Sequence, residues 1–381
     1  MRNILFLFVS IIIIALSCSC QVLDNPETGN HLISGEDSLS IHAFNPYNEV
    51  LPKILNIRKA WKPYGDKEQY DNLVLLYLSD FHAFENNMTR VSDFLDVYSE
   101  YIDDVIHTGD LLRKDLSGKC PSKFNSNWLQ VIGNHDATLF IDNHYVIQPS
   151  IDSYNKLFAP FIDKWNVCQP PDASKDGKCY YYKDYSNYKV RLIVLDCVQG
   201  SSPYNHWDHA QKVWLEDVLN ETLDSSSSSF GYHVIVAVHY PAFVIEKQPD
   251  NPFDTIDDSI PQSYCCIDGL PDIVQSFKQR GGTFVCYLSG HLHTDCFGVG
   301  VKYPEQLCIS IACASVSAAQ PYCDMIRRVG DKTQDCFNLV GIDTNSKVIK
   351  IMRIGAEYDR YMRRRNVLCW DYKNNYLIYV D

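Results

Sequence analysis

Five apolar runs in this chain stop in the same way. "LLYLSDFH" ends at Asp80 and His82, "VIHTGDLL" turns at Gly109 and Asp110, and "VIGNHD" breaks into Asn134, His135 and Asp136. "VIVAVHYP" carries His239, and "YLSGHLHTD" ends in Gly290, His291 and His293. Each run is short and rich in Val, Ile, Leu or Tyr, as buried strands are. In α/β sheets, sites assemble at the carboxyl ends of strands. A chain that places carboxylates, an amide and imidazoles at such ends five times over calls for a fold that gathers those ends together.

The rest of the sequence supplies the other layer. The segment 88–101, "MTRVSDFLDVYSEY", sets Val91, Phe94, Leu95 and Tyr98 on one helical stripe, with a start signal at Thr89 or Ser92. The segment 206–223 places Ala210, Val213, Trp214 and Val218 near one face, with Leu215 and Leu219 alongside. Strands alternating with helices give an α/β class with buried sheets. The tail, "CFNLVGIDTNSKVIKIMRIG" and "VLCWDYKNNYLIYVD", reads as further strands joined by Asn-containing turns. With 381 residues, 46% of them hydrophobic, the chain can bury a large core. Its formal net charge of −13 argues against a broad nucleic-acid surface.

Taken singly, the strand ends are ordinary. Gly-Asp is common turn chemistry, and a lone His239 fits a satisfied core histidine. "GNHD" is more specific, because a turn needs one polar residue rather than three different ones. "GHLH" sets two imidazoles two apart, on one side of an extended chain. In this order the five endings point to a site for two metal ions.

The blocks D-x-H, GD, GNH[DE], a lone His and G-H-x-H resemble the signature of the metallophosphoesterase superfamily, the calcineurin-like phosphoesterases. All five stand in order across residues 80–293. The resemblance implies two stacked mixed β-sheets flanked by helices. It implies that Asp80, His82 and His293 hold one metal, that Asp110 bridges both, and that Asn134, His239 and His291 complete the second. Oxygen and imidazole donors without thiolate suit Mn, Fe, Zn or Co. The implied reaction is hydrolysis of a phosphate ester by hydroxide formed between the metals, with a phosphodiester favoured over a phosphomonoester. His135 would contact the phosphate and protonate the leaving oxygen. Asp136 would hydrogen-bond the His135 ring, or else cap the helix that follows. A non-catalytic binding protein and a nuclease on the same scaffold are the competing readings.

Phe81, Tyr240 and the aromatic stretch 179–185 are candidates to line a substrate groove. The leader "MRNILFLFVSIIIIALSCSCQ" has one basic residue and an apolar run too short to span a bilayer, as in a signal peptide. Its "ALSC" resembles a bacterial lipobox ending at Cys18, which would make an exported, lipid-anchored protein. The expected organisation is a leader at 1–20, a tether and lead-in at 21–69, and a catalytic domain at 70–381. Of the 15 cysteines, Cys197, Cys286, Cys308 and Cys313 read as buried thiols. Cys168 and Cys179, flanking a loop, are the expected disulfide.

Overall fold

The residues Leu73–Leu78 form the first strand, β1, and all six side chains are buried. After it come α1 (Glu85–Tyr98), β2 (Asp104–His107), β3 (Leu129–Gln130), the one-turn helix α2 (Asn134–Ala137) and a hairpin of β4 (Thr138–Ile141) and β5 (His144–Ile147). Three short helices follow, α3 (Ser150–Leu157), α4 (Ile162–Trp165) and α5 (Ala173–Asp176), then β6 (Tyr181–Tyr185), β7 (Val190–Val194), α6 (His209–Glu221), β8 (His233–Ala237) and α7 (Leu270–Gln279). The last third is strands, β9 (Thr283–Ser289), β10 (Cys296–Gly300), β11 (Tyr303–Ser310), β12 (Cys336–Asp343), β13 (Val348–Gly355), β14 (Val367–Asp371) and β15 (Tyr376–Ile378). This is a computed structural model, and it describes residues 54–55, 57, 72–82, 85–112, 127–141, 144–147, 150–198, 207–243, 267–293, 295–300, 302–311, 314, 335–355 and 367–378.

The strands make two mixed sheets. One runs β15-β14-β13-β12-β1-β2-β3 and the other β10-β11-β9-β8-β7-β6. Strand β1 is parallel to β2 and antiparallel to β12, so both of its edges are paired. In the second sheet β7, β8 and β9 run parallel, closed at the edges by antiparallel β6 and β10. The parallel strands of both sheets deliver their carboxyl ends into the loops that carry the polar motifs. This is the two-sheet, helix-flanked arrangement the motifs implied.

Polar side chains tie one sheet to the other. The Tyr77 hydroxyl on β1 bonds the Ser289 carbonyl on β9 and accepts the Ser289 N–H at 3.0 Å. The Tyr181 hydroxyl on β6 donates to the Gln130 carbonyl on β3 at 3.0 Å. On the outside, Phe94 of α1 packs edge-on against Phe337 of β12. Helix α6 is capped by Asp208, whose carboxylate accepts the Gln211 N–H at 2.7 Å.

Several expectations change in detail. Helix α1 begins at Glu85, ahead of the expected Thr89 or Ser92. Val213 is exposed, because the buried stripe of α6 is Gln211, Leu215, Val218 and Leu219. Ile54 and Ile57, within the expected tether and lead-in, are buried, and the Ile57 carbonyl accepts from the Asn72 amide at 2.8 Å. The leader, Cys18 and Cys313 lie outside the described residues.

The expected disulfide does not form, and Cys168 and Cys179 carry free thiols. Cys168 pairs by its backbone with Tyr182, three residues beyond Cys179. An extended chain covers roughly 10 Å over three residues, beyond the ~7 Å Cα separation a disulfide tolerates. The aromatic stretch is no groove either. It is β6 and its approach, with Tyr181 buried against Phe158 and Trp165. Phe81 is core, stacked between His107 and Trp128.

Replacing Tyr77 by Phe keeps the ring and withdraws the acceptor from a buried N–H. Tyr77→Phe is expected to cost about 1–3 kcal/mol of stability. Equilibrium denaturation checks this, and an unchanged midpoint would mean that the hydroxyl does not join the sheets.

Candidate metal centre

Seven residues from five strand ends meet in one buried place. Asp80, His82, Asp110 and His293 form one group, and Asp110, His239 and His291 a second, with the potential donor atoms of each within 4.8 Å of one another. In the first group, His293 Nε2 lies 3.0 Å from His82 Nε2 and 3.2 Å from Asp80 Oδ1. In the second, His239 Nε2 lies 3.4 Å from Asp110 Oδ2. The Asn134 amide oxygen completes that group, 3.0 Å from His239 Nε2 and 3.1 Å from His291 Nδ1. Asp110 is the member common to both. The structure thus brings together the seven residues that the resemblance named.

The local backbone is built around this convergence. Asp80, His82, Asp110, His291 and His293 all have left-handed φ, between 48° and 66°. Non-glycine residues avoid that region, and such strain persists where surrounding structure enforces it. The motif glycines provide the room. A Cβ on Gly109 would collide with the His239 ring, one on Gly133 with the Asp110 carboxylate, and one on Gly290 with Ser79 Oγ and Asp80 Oδ2. The sequence marked these glycines only as parts of motifs. Their reason is close approach of backbone to a neighbouring donor.

Burial and charge set the protonation of the donors. Burial pulls the His82 imidazole down to about 4 and His291 to about 3, so both are neutral electron-pair donors at pH 7. Burial alone would raise the Asp80 and Asp110 carboxyls, yet His293 and His239 respectively hold them below the usual range. His239 behaves oppositely, because the Asp110 carboxylate overcomes burial and pushes it up to about 9. A cation on His239 Nε2 therefore competes with a proton. His239 Nδ1 faces the Thr108 carbonyl at 2.8 Å. A carbonyl only accepts, so Nδ1 carries the hydrogen and Nε2 is left to face the site. Thr108 carries no sequence signal for this role, since it acts through its main chain.

Two buried carboxylates offer oxygen, one amide offers oxygen without charge, and four imidazoles offer nitrogen. That set suits intermediate divalent ions such as Mn, Fe, Zn or Co, and the site fits two of them sharing Asp110. His135 is half-buried at its edge, 3.8 Å from Asp110 Oδ2 and with its ring edge against His82. Tyr240 is buried and packs on His291 at 4.0 Å between ring centres, which makes it a wall of the site rather than an open groove face.

Asp136 departs from its first expected role. Its oxygens accept the backbone N–H groups of Asp110, Leu112 and Gly133, not the His135 ring. It closes the start of α2 from within, since Asp136 lies inside that turn and accepts the N–H of Gly133, the residue that precedes it. His107 is a core histidine bonded to Gln130. Asp196 is buried at the end of β7, outside both groups, and burial reinforced by Asp208 raises its carboxyl to about 7 against the Val198 N–H that favours its charge.

No family model matches the chain, and no curated protein does. Solved structures resemble it at low identity. A dimetal phosphatase from Danio rerio is 12% identical with a TM-score of 0.48, over 74% of this chain and 96% of that one. A 5'-nucleotidase from Candida albicans is 12% identical with a TM-score of 0.42, over 79% and 57%. A metallophosphoesterase from Sphaerobacter thermophilus is 14% identical with a TM-score of 0.26, over 75% and 89%.

Two outcomes follow from this geometry. Gly109→Ala should drive a methyl group into His239 and weaken metal binding about 10–100-fold; a calorimetric titration with Mn²⁺ matching the parent would contradict this. Asp196 binds its proton more tightly folded than unfolded, so it lowers stability as pH rises from its unfolded value near 4 to about 7. Asp196→Asn should therefore gain thermal stability over the parent above pH 7 and lose that advantage near pH 4. Parallel melting curves across the range would show the error.

Proposed function

We propose that this chain is an exported dinuclear-metal phosphoesterase. The observation that supports it most is the meeting of five strand ends in two donor groups that share Asp110, with five of the seven donors held in left-handed backbone. A fold assembles so many strained, buried, ligand-type residues where an ion offsets the cost. Two such ions would supply Lewis acidity for a phosphoryl oxygen and an activated water.

The chain's own residues do the rest. Asp80, His82 and His293 hold the first position, Asn134, His239 and His291 the second, and Asp110 joins them. The Asn134 amide completes its group without adding negative charge, which leaves the site able to accept an anionic ester. His135, the half-buried ring beside Asp110, would donate a proton to the departing oxygen. The favoured substrate class is a phosphodiester and the alternative a phosphomonoester. The net charge of −13 disfavours a nuclease.

Export and a lipid anchor at Cys18 rest on the leader sequence alone. Among the described residues, no helix is long and apolar enough to cross a membrane.

Hydrolysis of a nitrophenyl phosphomonoester and the matching bis-nitrophenyl diester, with and without Mn²⁺, tests the reading. Metal-dependent turnover of either supports an esterase, and the preferred compound assigns its class. His135→Ala should keep two metals and lose about 10²–10⁴-fold in turnover, whereas Asp110→Ala should lose both metals. Two metals retained by Asp110→Ala, or full turnover by His135→Ala, would contradict these roles.

A further inference from the structure

The carboxylate of Asp136 is fully buried, and backbone N–H groups occupy both of its oxygens. Oδ2 accepts from Asp110 at 2.8 Å and from Gly133 at 3.0 Å, while Oδ1 accepts from Leu112 at 2.8 Å. Asp110 and Leu112 belong to the loop leaving β2, and Gly133 opens α2. In return, Asp110 Oδ1 accepts the His135 N–H at 2.7 Å. The two loops thus clasp each other, each carboxylate holding the other loop's backbone.

We propose that Asp136 is a positioning residue for the metal centre, which fixes the Asp110 backbone so that one carboxylate can serve both donor groups. The proposal rests on the dinuclear reading above. Asp110 sits at φ 58°, a backbone region that few non-glycine residues take. N–H groups of a turn that includes a left-handed residue converge into a concavity that binds an anion. Here the acceptor is internal, and it arrives from α2. With Asp136 in place, the Asp110 N–H and the Leu112 N–H point at one carboxylate, and the Asp110 side chain is turned toward His239 and His135. Without it, three buried N–H groups lose their acceptor, and the loop relaxes away from left-handed backbone. Asp110 then reaches one group or neither.

Asp136→Asn is isosteric, and whichever way the amide faces, its NH₂ points at one or more of these N–H donors. The experiment loads the full chain and the variant with Mn²⁺ and records binding isotherms and electron paramagnetic resonance spectra. The parent is expected to bind two Mn²⁺ and give the spectrum of an exchange-coupled pair. Asp136→Asn is expected to bind both ions about 10-fold or more weakly and to show the six-line signal of isolated Mn²⁺. A parent that binds no coupled pair would overturn the dinuclear reading and this proposal with it. A variant that keeps the coupled pair at parental affinity would overturn the proposal alone. So would a variant that keeps the pair and loses only turnover, because Asp136 would then act through His135. Should the variant fail to fold, amide hydrogen exchange on the metal-free parent decides the matter. Strong protection at Asp110, Leu112 and Gly133 supports the clasp, and exchange at unprotected rates overturns it.

Discussion

The structure turns on the carboxylate of Asp110. It is 1% exposed and faces His239 and His135 at once. A buried carboxylate is costly unless it is paired, and this one is asked to serve two sets of donors. The surrounding oddities follow from that demand. Gly109 has no side chain because the His239 ring occupies the space, and Gly133 has none because Asp110 itself does. Five donors take left-handed backbone, each at a cost on the order of 1 kcal/mol or more. Summed over the five, that cost is of the same order as the net stability of a whole domain. The protein carries it on sheets whose central strands β1, β7 and β8 are buried along their whole length, and it concentrates the strain beyond strand ends.

The scaffold and the site are therefore one argument. Parallel pairing of β7, β8 and β9 and of β1, β2 and β3 sends their loops to the same end of each sheet. Tyr77 locks β1 to β9 three residues before Asp80 and directly before the 290–293 loop. A shift of one residue in either register would reverse the faces of every side chain along a strand and separate His293 from Asp80. The hydrophobic interior is what holds a polar cluster in register.

Much of this was legible in the sequence because strand ends announce themselves. An apolar run of Val, Ile and Leu broken by Asp, His or Asn-His has few structural excuses, and the division of Asp80, His82, Asp110, Asn134, His239, His291 and His293 into two groups came from the family resemblance that these breaks carry. What was not legible acts through backbone or through distance. Thr108 contributes a carbonyl. Asp136 spends both its oxygens on the N–H groups of Asp110, Leu112 and Gly133, and no side-chain pattern records that. Cys168 and Cys179 flank a loop as a disulfide would, yet the pairing of Cys168 with Tyr182 sets them apart. Phe81, in the loop after β1, is held in the core between His107 and Trp128, and Tyr181 on β6 faces Phe158 and Trp165 because alternation along a strand decides which face a residue takes.

The central claim, two ions sharing Asp110, is tested most directly by anomalous diffraction from crystals grown with Mn²⁺. The account predicts two peaks about 3.5–4 Å apart, one beside Asp80, His82 and His293, the other beside Asn134, His239 and His291, with Asp110 between them. A single peak, or none, would contradict it.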